Sequence, residues 1–402
     1  MPRILLLLPT ATYRASDFLA AADRLGVDVV VGSEHRQALA GAMGDRALVV
    51  PLADPTAAVG AIAALHDRTP LDAVLAVDDQ GVVVAAMAAE RLGLRHSRPD
   101  AVAGTRDKAV MRRRLGAAAI PQPPYRVVAP DERVAAAATD IGYPCVVKPL
   151  SRSGSQGVIR VDDADQAEAA QSRVRAIVGN DREPLLVEGY VSGEEVAVEG
   201  LLHDGELEVL AQLDKPDPLD GPFFEETIYV TPSSQPSSVL TAIEATVAEA
   251  AAALGLEEGP VHAELRIGGD GRPTMVELAA RSIGGLCGRA LRFGSGASLE
   301  EVIIREALGL GLDGLAREDL ASGVMMLPIK AGGIIDEVTG QHRARAVPGV
   351  VGLEISIPPG RPVVPLPEGD RYLGFVFARA GTRDDVVEAL RRAEACIEVH
   401  LR

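Results

Sequence analysis

Short apolar runs alternate with amphipathic helical stretches through the first hundred residues, at Ile4 to Leu8, Val27 to Val31, Ala47 to Val50 and Ala73 to Val77. Strand and helix alternating in this way fold as a parallel sheet covered by helices. Ile4 to Leu8 is apolar at every position, the pattern of a strand buried on both faces. It is too short to span a membrane, and no basic segment or small-residue cleavage site marks it as a leader. No Gly-x-Gly-x-x-Gly follows it. Pro9-Thr10-Ala11-Thr12-Tyr13 stands there instead, so a dinucleotide site is not supported, and the layer is left with a small substrate to bind at its strand ends.

The pattern changes near Arg106. Asp107-Lys108 leads a helical stretch through Met111 and Leu115 that ends at Gly116 and the Pro121 to Pro124 cluster. A strand at Tyr125 to Val128, a helix at Glu132 to Ile141 and a strand at Cys145 to Val147 come next. Strands then dominate: Val158 to Val161, Leu185 to Val187, Val196 to Leu202, Leu207 to Leu213, Val261 to Ile267 and Thr274 to Leu278. Asp204-Gly205 and Asp270-Gly271 read as hairpin turns, and Val239 to Leu254 has helical spacing. From about Leu312 a smaller unit rich in Gly and Pro follows, with strands near Met325 to Ile329, Leu353 to Ile357 and Gly374 to Ala378 and a helix from Asp384 to Glu394. At 402 residues the chain exceeds one hydrophobic core, so we expect units at 1–105, 106–311 and 312–402, α/β first and α+β after.

Hydrophobic residues at 47% and charged residues at 24% exclude a disordered or fibrous chain. A net charge of −17 argues against nucleic acid, which is held by clustered Lys and Arg, and nothing points to a membrane. Cys145, Cys287 and Cys396 are too scattered for a zinc site or a disulfide framework, which fits a cytoplasmic protein with buried apolar cysteines.

Four segments carry candidate chemistry. Lys148-Pro149 runs into Ser151-Arg152-Ser153-Gly154-Ser155-Gln156-Gly157, where backbone N–H groups, hydroxyls and the Lys charge suit phosphates. A plain hairpin loop is the other reading, but a Lys at a strand end among apolar neighbours calls for an anionic partner. The strand Leu185 to Val187 breaks at Glu188-Gly189-Tyr190-Val191 and resumes after Glu195. Either this is an exposed turn, or it is a hinge whose bare backbone reads adenine while Glu195 accepts ribose hydroxyls. In the hairpin Val261 to Arg281, strand alternation puts His262, Glu264 and Arg266 on one face. Glu264 and Glu277 then converge either on Mg2+ or in cross-strand ion pairs. His262 reads better as a structural His than as a ligand, and Arg281 is placed to stabilise charge in phosphoryl transfer. Gly284-Gly285 offers amides for a carboxylate or an acyl phosphate, or only a turn.

The order of these segments resembles the ATP-grasp superfamily, in its branch of L-amino acid ligases and related carboxylate–amine ligases, over nearly the whole chain. The resemblance implies an ATP-grasp fold with a pre-ATP-grasp domain, a lid subdomain at about 121–190 and an amino acid ligase-like C-terminal domain. It implies ATP and Mg2+ (or Mn2+) as cofactors, small carboxylate and amine substrates of the amino acid kind, and a homodimer. Lys108 and Lys148 match phosphate contacts, with Lys148 and Arg281 catalytic. Ser151, Ser153, Gly154, Ser155 and Gly157 form the closing loop. Glu188, Tyr190 and Val191 match the adenine site, Glu195 the ribose carboxylate, and Glu264 and Glu277 the metal ligands. The stretch Glu277-Leu278-Ala279-Ala280-Arg281 departs from the family's Glu-x-Asn-x-Arg, so Ala279 withdraws one oxygen ligand. The implied reaction forms an amide through an acyl phosphate and releases ADP. The alternatives are a biotin-carboxylase-like or purine-pathway ligase, and a nucleotide-binding module without catalysis. Glu226 reads as a partner for an amino group or as a solvated loop acid, and Lys330, Gly332 and Gly333 as a cap or a surface turn.

Overall fold

The aliphatic run near the N-terminus forms β1 (Arg3–Leu8), which lies between β2 (Asp28–Ser33) and β4 (Ala73–Ala76), with β3 (Ala47–Val49) beyond β2. All three pairings are parallel. Ile4 to Leu8 are buried on both faces under helices, which is why no polar residue interrupts them. The computed structural model describes residues 1–9, 12–35 and 44–402, so Thr10 and Ala11 of the segment after β1 lie outside the described residues.

A second sheet, order β5-β8-β6-β7, joins β5 (Tyr125–Val128), β6 (Cys145–Pro149), β7 (Ile159–Val161) and β8 (Leu185–Gly189) in antiparallel pairs. Helices Val134–Ile141 and Ala164–Val178 close its core. The second of these helices was not among the expectations. Its signal was present: the Asp163 side chain accepts from the Gln166 N–H at 2.8 Å, the local pairing that starts a helix.

The third sheet has eight strands in the order β13-β12-β9-β10-β11-β14-β18-β16. It joins β9 (Glu194–His203), β10 (Glu206–Lys215), β11 (Ile228–Thr231), β12 (Gly259–Ile267) and β13 (Pro273–Ala279) to β14 (Ala321–Leu327), β16 (Val350–Ile355) and β18 (Gly374–Ala380). The β9–β10 turn holds Asp204 at φ 50° and Gly205 at φ 82°, as a tight type I′ connection demands. The last unit therefore extends the middle unit's sheet, and the bridge is β11, which pairs β14 antiparallel. That strand is only four residues long, too short to show a period in the sequence. A small sheet of β15 (Gly333–Thr339), β17 (Pro362–Val363) and β19 (Glu398–Leu401) stands apart. Among the described residues only helix Ser237–Leu254 is long and apolar enough to cross a membrane. Here its Ile243, Val247, Ala250 and Leu254 pack in the core with β9 and β12.

Candidate active site

Antiparallel register puts Val146 opposite Glu188 and Lys148 opposite Leu186, so Lys148 and Glu188 are diagonal neighbours on one face. Their ion pair is 2.5 Å long and both side chains are buried. Arg112, fully buried in helix Lys108–Ala117, grips the same carboxylate through Nε at 2.6 Å and Nη2 at 3.2 Å. Burial alone would raise the Glu188 pKa; Arg112 and Lys148 outweigh it and hold it at about 2. Burial lowers that of Lys148 despite Glu188, with Arg112 and Lys108 adding to the effect. Glu188 thus aims the lysine, and its carboxylate is not free for adenine.

Lys108 donates to the Arg152 carbonyl at 2.7 Å and reaches Glu277 at 3.4 Å. It therefore ties the Ser151 to Gly157 loop to the acidic hairpin. In that loop Gly154, Ser155 and Gly157 take φ of 62°, 56° and 73°, a curvature that turns backbone N–H groups toward one side. Ser151, Ser153, Gly154 and Ser155 line a cavity of about 660 Å³ together with Lys148, Glu188, Tyr190 and Val191.

Tyr190 donates to Asp220 at 2.7 Å and stacks on Phe224, with ring centroids 6.4 Å apart. Arg266 donates to the Val191 carbonyl at 2.8 Å and to Glu195 at 2.9 Å. Glu195 is also held by Lys215 at 2.6 Å, so the carboxylate expected at a ribose is buried between two cations.

Glu264 and Glu277 sit directly opposite each other across β12 and β13, next to a register shift. Two carboxylates facing each other repel unless cations intervene, and each has its own: Glu264 meets Lys215 at 2.9 Å, and Glu277 meets Lys108. The acids whose oxygens gather within 4.8 Å are Glu195, Glu226 and Glu264, around the Lys215 ammonium. Lys215 is itself buried. Burial would lower its pKa, but the three glutamates raise it well above the usual lysine range. Glu226 lies in the cavity against Lys215 and Tyr229, both at distances of 2.6 to 2.8 Å, and is no solvated loop acid. Hard oxygen donors suit Mg2+. Glu264 and Glu277 both line the cavity and offer such donors, while Ala279 lines it with none to offer.

His262 bridges Glu199 at 3.1 Å and Glu264 at 3.5 Å. Burial would lower its pKa, but the two acids raise it to about 9, in keeping with a structural cation. Glu199, fully buried, also accepts from the Ile283 N–H at 2.9 Å. The two preceding residues are gripped as well: Arg14 donates to Ser282 at 2.8 Å, and Asp79 pairs with Arg281 at 2.9 Å. Asp79 also pairs with Arg106 at 2.8 Å. Asp79, Arg14 and Glu199 carry no motif, because they act on Arg281, Ser282 and Ile283 from far away in the chain. Gly284 and Gly285 face the cavity. Lys330 pairs with Glu394 at the surface, and neither it nor Gly332 nor Gly333, the first residue of β15, is among the cavity's lining residues. Cys145 and Cys287 are free and buried, and Cys396 is free and half-buried.

Comparison with known proteins gives three family matches: an ATP-grasp N-terminal domain over residues 19–96, an ATP-grasp domain over 141–290 and an L-amino acid ligase C-terminal domain over 325–402. An uncharacterized Sinorhizobium fredii protein is 28% identical over 315 residues, 75% of this chain and 62% of that protein. Alanine–anticapsin ligase of Bacillus subtilis is 28% identical over 233 residues, 53% of this chain and 49% of that enzyme. The chain thus spans about half to three-fifths of the length of these curated relatives. The L-amino acid ligase structure from Bacillus licheniformis superimposes with a TM-score of 0.83 at 24% identity, covering 100% of this chain and 99% of that one.

Proposed function

We propose that this chain, which belongs to the ATP-grasp superfamily, is a carboxylate–amine ligase that activates a carboxylate with ATP and joins it to an amine. The single observation that carries this reading is convergence. Lys108, Lys148, Glu264, Glu277 and Arg281, drawn from segments far apart in the chain, line one cavity.

In this reading the substrate carboxylate attacks the γ-phosphoryl group, giving ADP and an acyl phosphate, and an amine then displaces phosphate. Little covalent chemistry is asked of the protein; its work is positioning and charge neutralisation. Lys108, Lys148 and the Ser151 to Gly157 loop hold the phosphates, and Arg281 meets the charge that builds on the transferring group. Tyr190 and Val191 flank the adenine, and Glu195 faces the ribose once Lys215 turns toward the phosphates. Mg2+ or Mn2+ held by Glu264 and Glu277 would neutralise phosphate charge. Glu226, beside Tyr229 and Tyr372, is placed to take the amino group of an amino acid. The match of the last unit to an L-amino acid ligase domain supports amino acids over bicarbonate or a nucleotide intermediate.

The test is a phosphate-release screen across amino acids and amines, with Glu277→Ala as control. We expect ADP and phosphate to appear only when both substrates are present, and the variant to lose at least about a hundredfold, the scale of removing a key electrostatic group. Release of AMP and pyrophosphate would defeat the proposal.

A further inference from the structure

Asp78 and Asp79 are adjacent, yet their side chains have opposite fates. Asp79 is consumed by Arg281 and Arg106. The Asp78 side chain, just past β4 and lining the same cavity, makes no hydrogen bond or ion pair with any described residue. The same cavity is lined by Tyr13 from the first unit and by Ser356, Ile357, Asp370, Arg371 and Tyr372 from the last. Phe375 backs both tyrosines edge-on, at 5.5 and 6.0 Å between ring centroids. The hydroxyl oxygens of Tyr13 and Ser356 are buried here without a hydrogen-bond partner among the described residues.

A half-buried carboxylate that no donor or cation touches directly is costly unless a ligand supplies the contact. Aromatic faces and spare hydroxyls beside it suit an alkylammonium group, which brings three N–H donors and a cation for the rings. The cationic pole of the cavity, with Arg281, Lys108 and Lys148, suits the phosphates and the activated carboxylate, and a further cation, Arg371, acts on Tyr13. Asp78 is close enough to act electrostatically on both Arg281 and Tyr13, so it lies between the cationic pole and the aromatic wall.

We propose that this end of the cavity is the acceptor subsite, where Asp78 receives the ammonium group of a primary amine and takes a proton from it ahead of bond formation. The inference rests on the ligase reading. The acceptor nitrogen arrives with three protons. One passes to Asp78 and then to solvent, the freed lone pair forms the C–N bond as the C–O bond to phosphate breaks, one proton leaves with phosphate, and one stays on the amide.

Hydroxylamine separates the two steps, because near neutral pH it is an uncharged nucleophile that traps an acyl phosphate without an ammonium site. Wild type and Asp78→Asn are assayed with MgATP and an equimolar pool of the proteinogenic L-amino acids, with and without hydroxylamine. Hydroxamate is read by colour and dipeptide by mass. Asp78→Asn keeps hydroxamate formation within about twofold and loses about ten- to a hundredfold in dipeptide formation, the scale of one charged hydrogen bond; Asp78→Glu recovers part of it. Equal losses in both products, or no loss in dipeptide, would overturn the acceptor role alone. If wild type makes neither product, the ligase reading falls as well.

Discussion

At position 188 a carboxylate hidden from solvent is shared by a guanidinium and an ammonium, and it sets where Lys148 points. Its ordinary pKa of 4.5 is held at about 2 in the fold, against the pull of burial, by Arg112 and Lys148. A depressed carboxylate gives stability that is complete above the ordinary value and is lost as pH falls from there through the folded value. The window is therefore pH about 5 down to about 2, and the size is about 3 kcal/mol. Denaturant unfolding of wild type across that window should show the loss. Glu188→Gln should be flatter there and less stable at neutral pH by about 3–5 kcal/mol, since it strands two buried cations. Asp79 is the second residue on which geometry turns. Burial would raise its pKa, but Arg281 and Arg106 hold it well below the usual carboxylate range. We expect Asp79→Asn to lower kcat about ten- to a hundredfold while leaving KM for ATP nearly unchanged, because it frees Arg281 without touching the nucleotide. Steady-state kinetics would decide this, and a rise in KM for ATP with kcat intact would contradict it.

Among the elements, the Ser151 to Gly157 loop is held by the last unit as well as by its own sheet. The Pro367 carbonyl accepts from the Gly157 N–H at 2.9 Å, and the Glu368 carbonyl accepts from the Gln156 side chain at 2.9 Å. Arg173 meets the Glu368 carboxylate through two bonds of 2.6 and 2.9 Å. An alanine at 157 would suffer twice: φ is 73°, and its Cβ would press on Pro149 at 3.2 Å. The Arg173–Glu368 pair is nearly half exposed, so it contributes at most about 1 kcal/mol. Accordingly, Glu368→Ala should speed release of a fluorescent ADP analogue by no more than about fivefold. A change of several hundredfold in stopped flow would show that the contact holds the closed state far more strongly than an exposed pair can.

For the whole molecule, one core joins segments from all three units of the sequence pattern. Leu6 and Phe18 of the first unit, Leu291 and Leu299 of the second, and Phe375 and Phe377 of the last pack in a single cluster. Much was legible beforehand. The hairpin pairing Glu264 with Glu277, the strand carrying Lys148 and the Gly/Ser loop follow from local periodicity and turn chemistry, which are properties of neighbouring residues. What escaped was set by distance. Arg112 stands in Arg112-Arg113-Arg114 and looks like part of a solvated helix face, and only the approach of β8 and β13 buries it. Asp79, Arg14 and Glu199 matter through partners about sixty to three hundred residues away. The eight-stranded sheet depended on β11, whose four residues gave no period to read.

Acyl-phosphate chemistry leaves a trace that no other cleavage of ATP reproduces. When the substrate carboxylate attacks the γ-phosphoryl group, one of its oxygens departs with the phosphate. The reaction is therefore run with an amino acid substrate from the phosphate-release screen, its carboxylate enriched in 18O, and the released phosphate is weighed by mass spectrometry. A single 18O in each phosphate, together with ADP, is the expected result; unlabelled phosphate, or label carried into AMP, would contradict it.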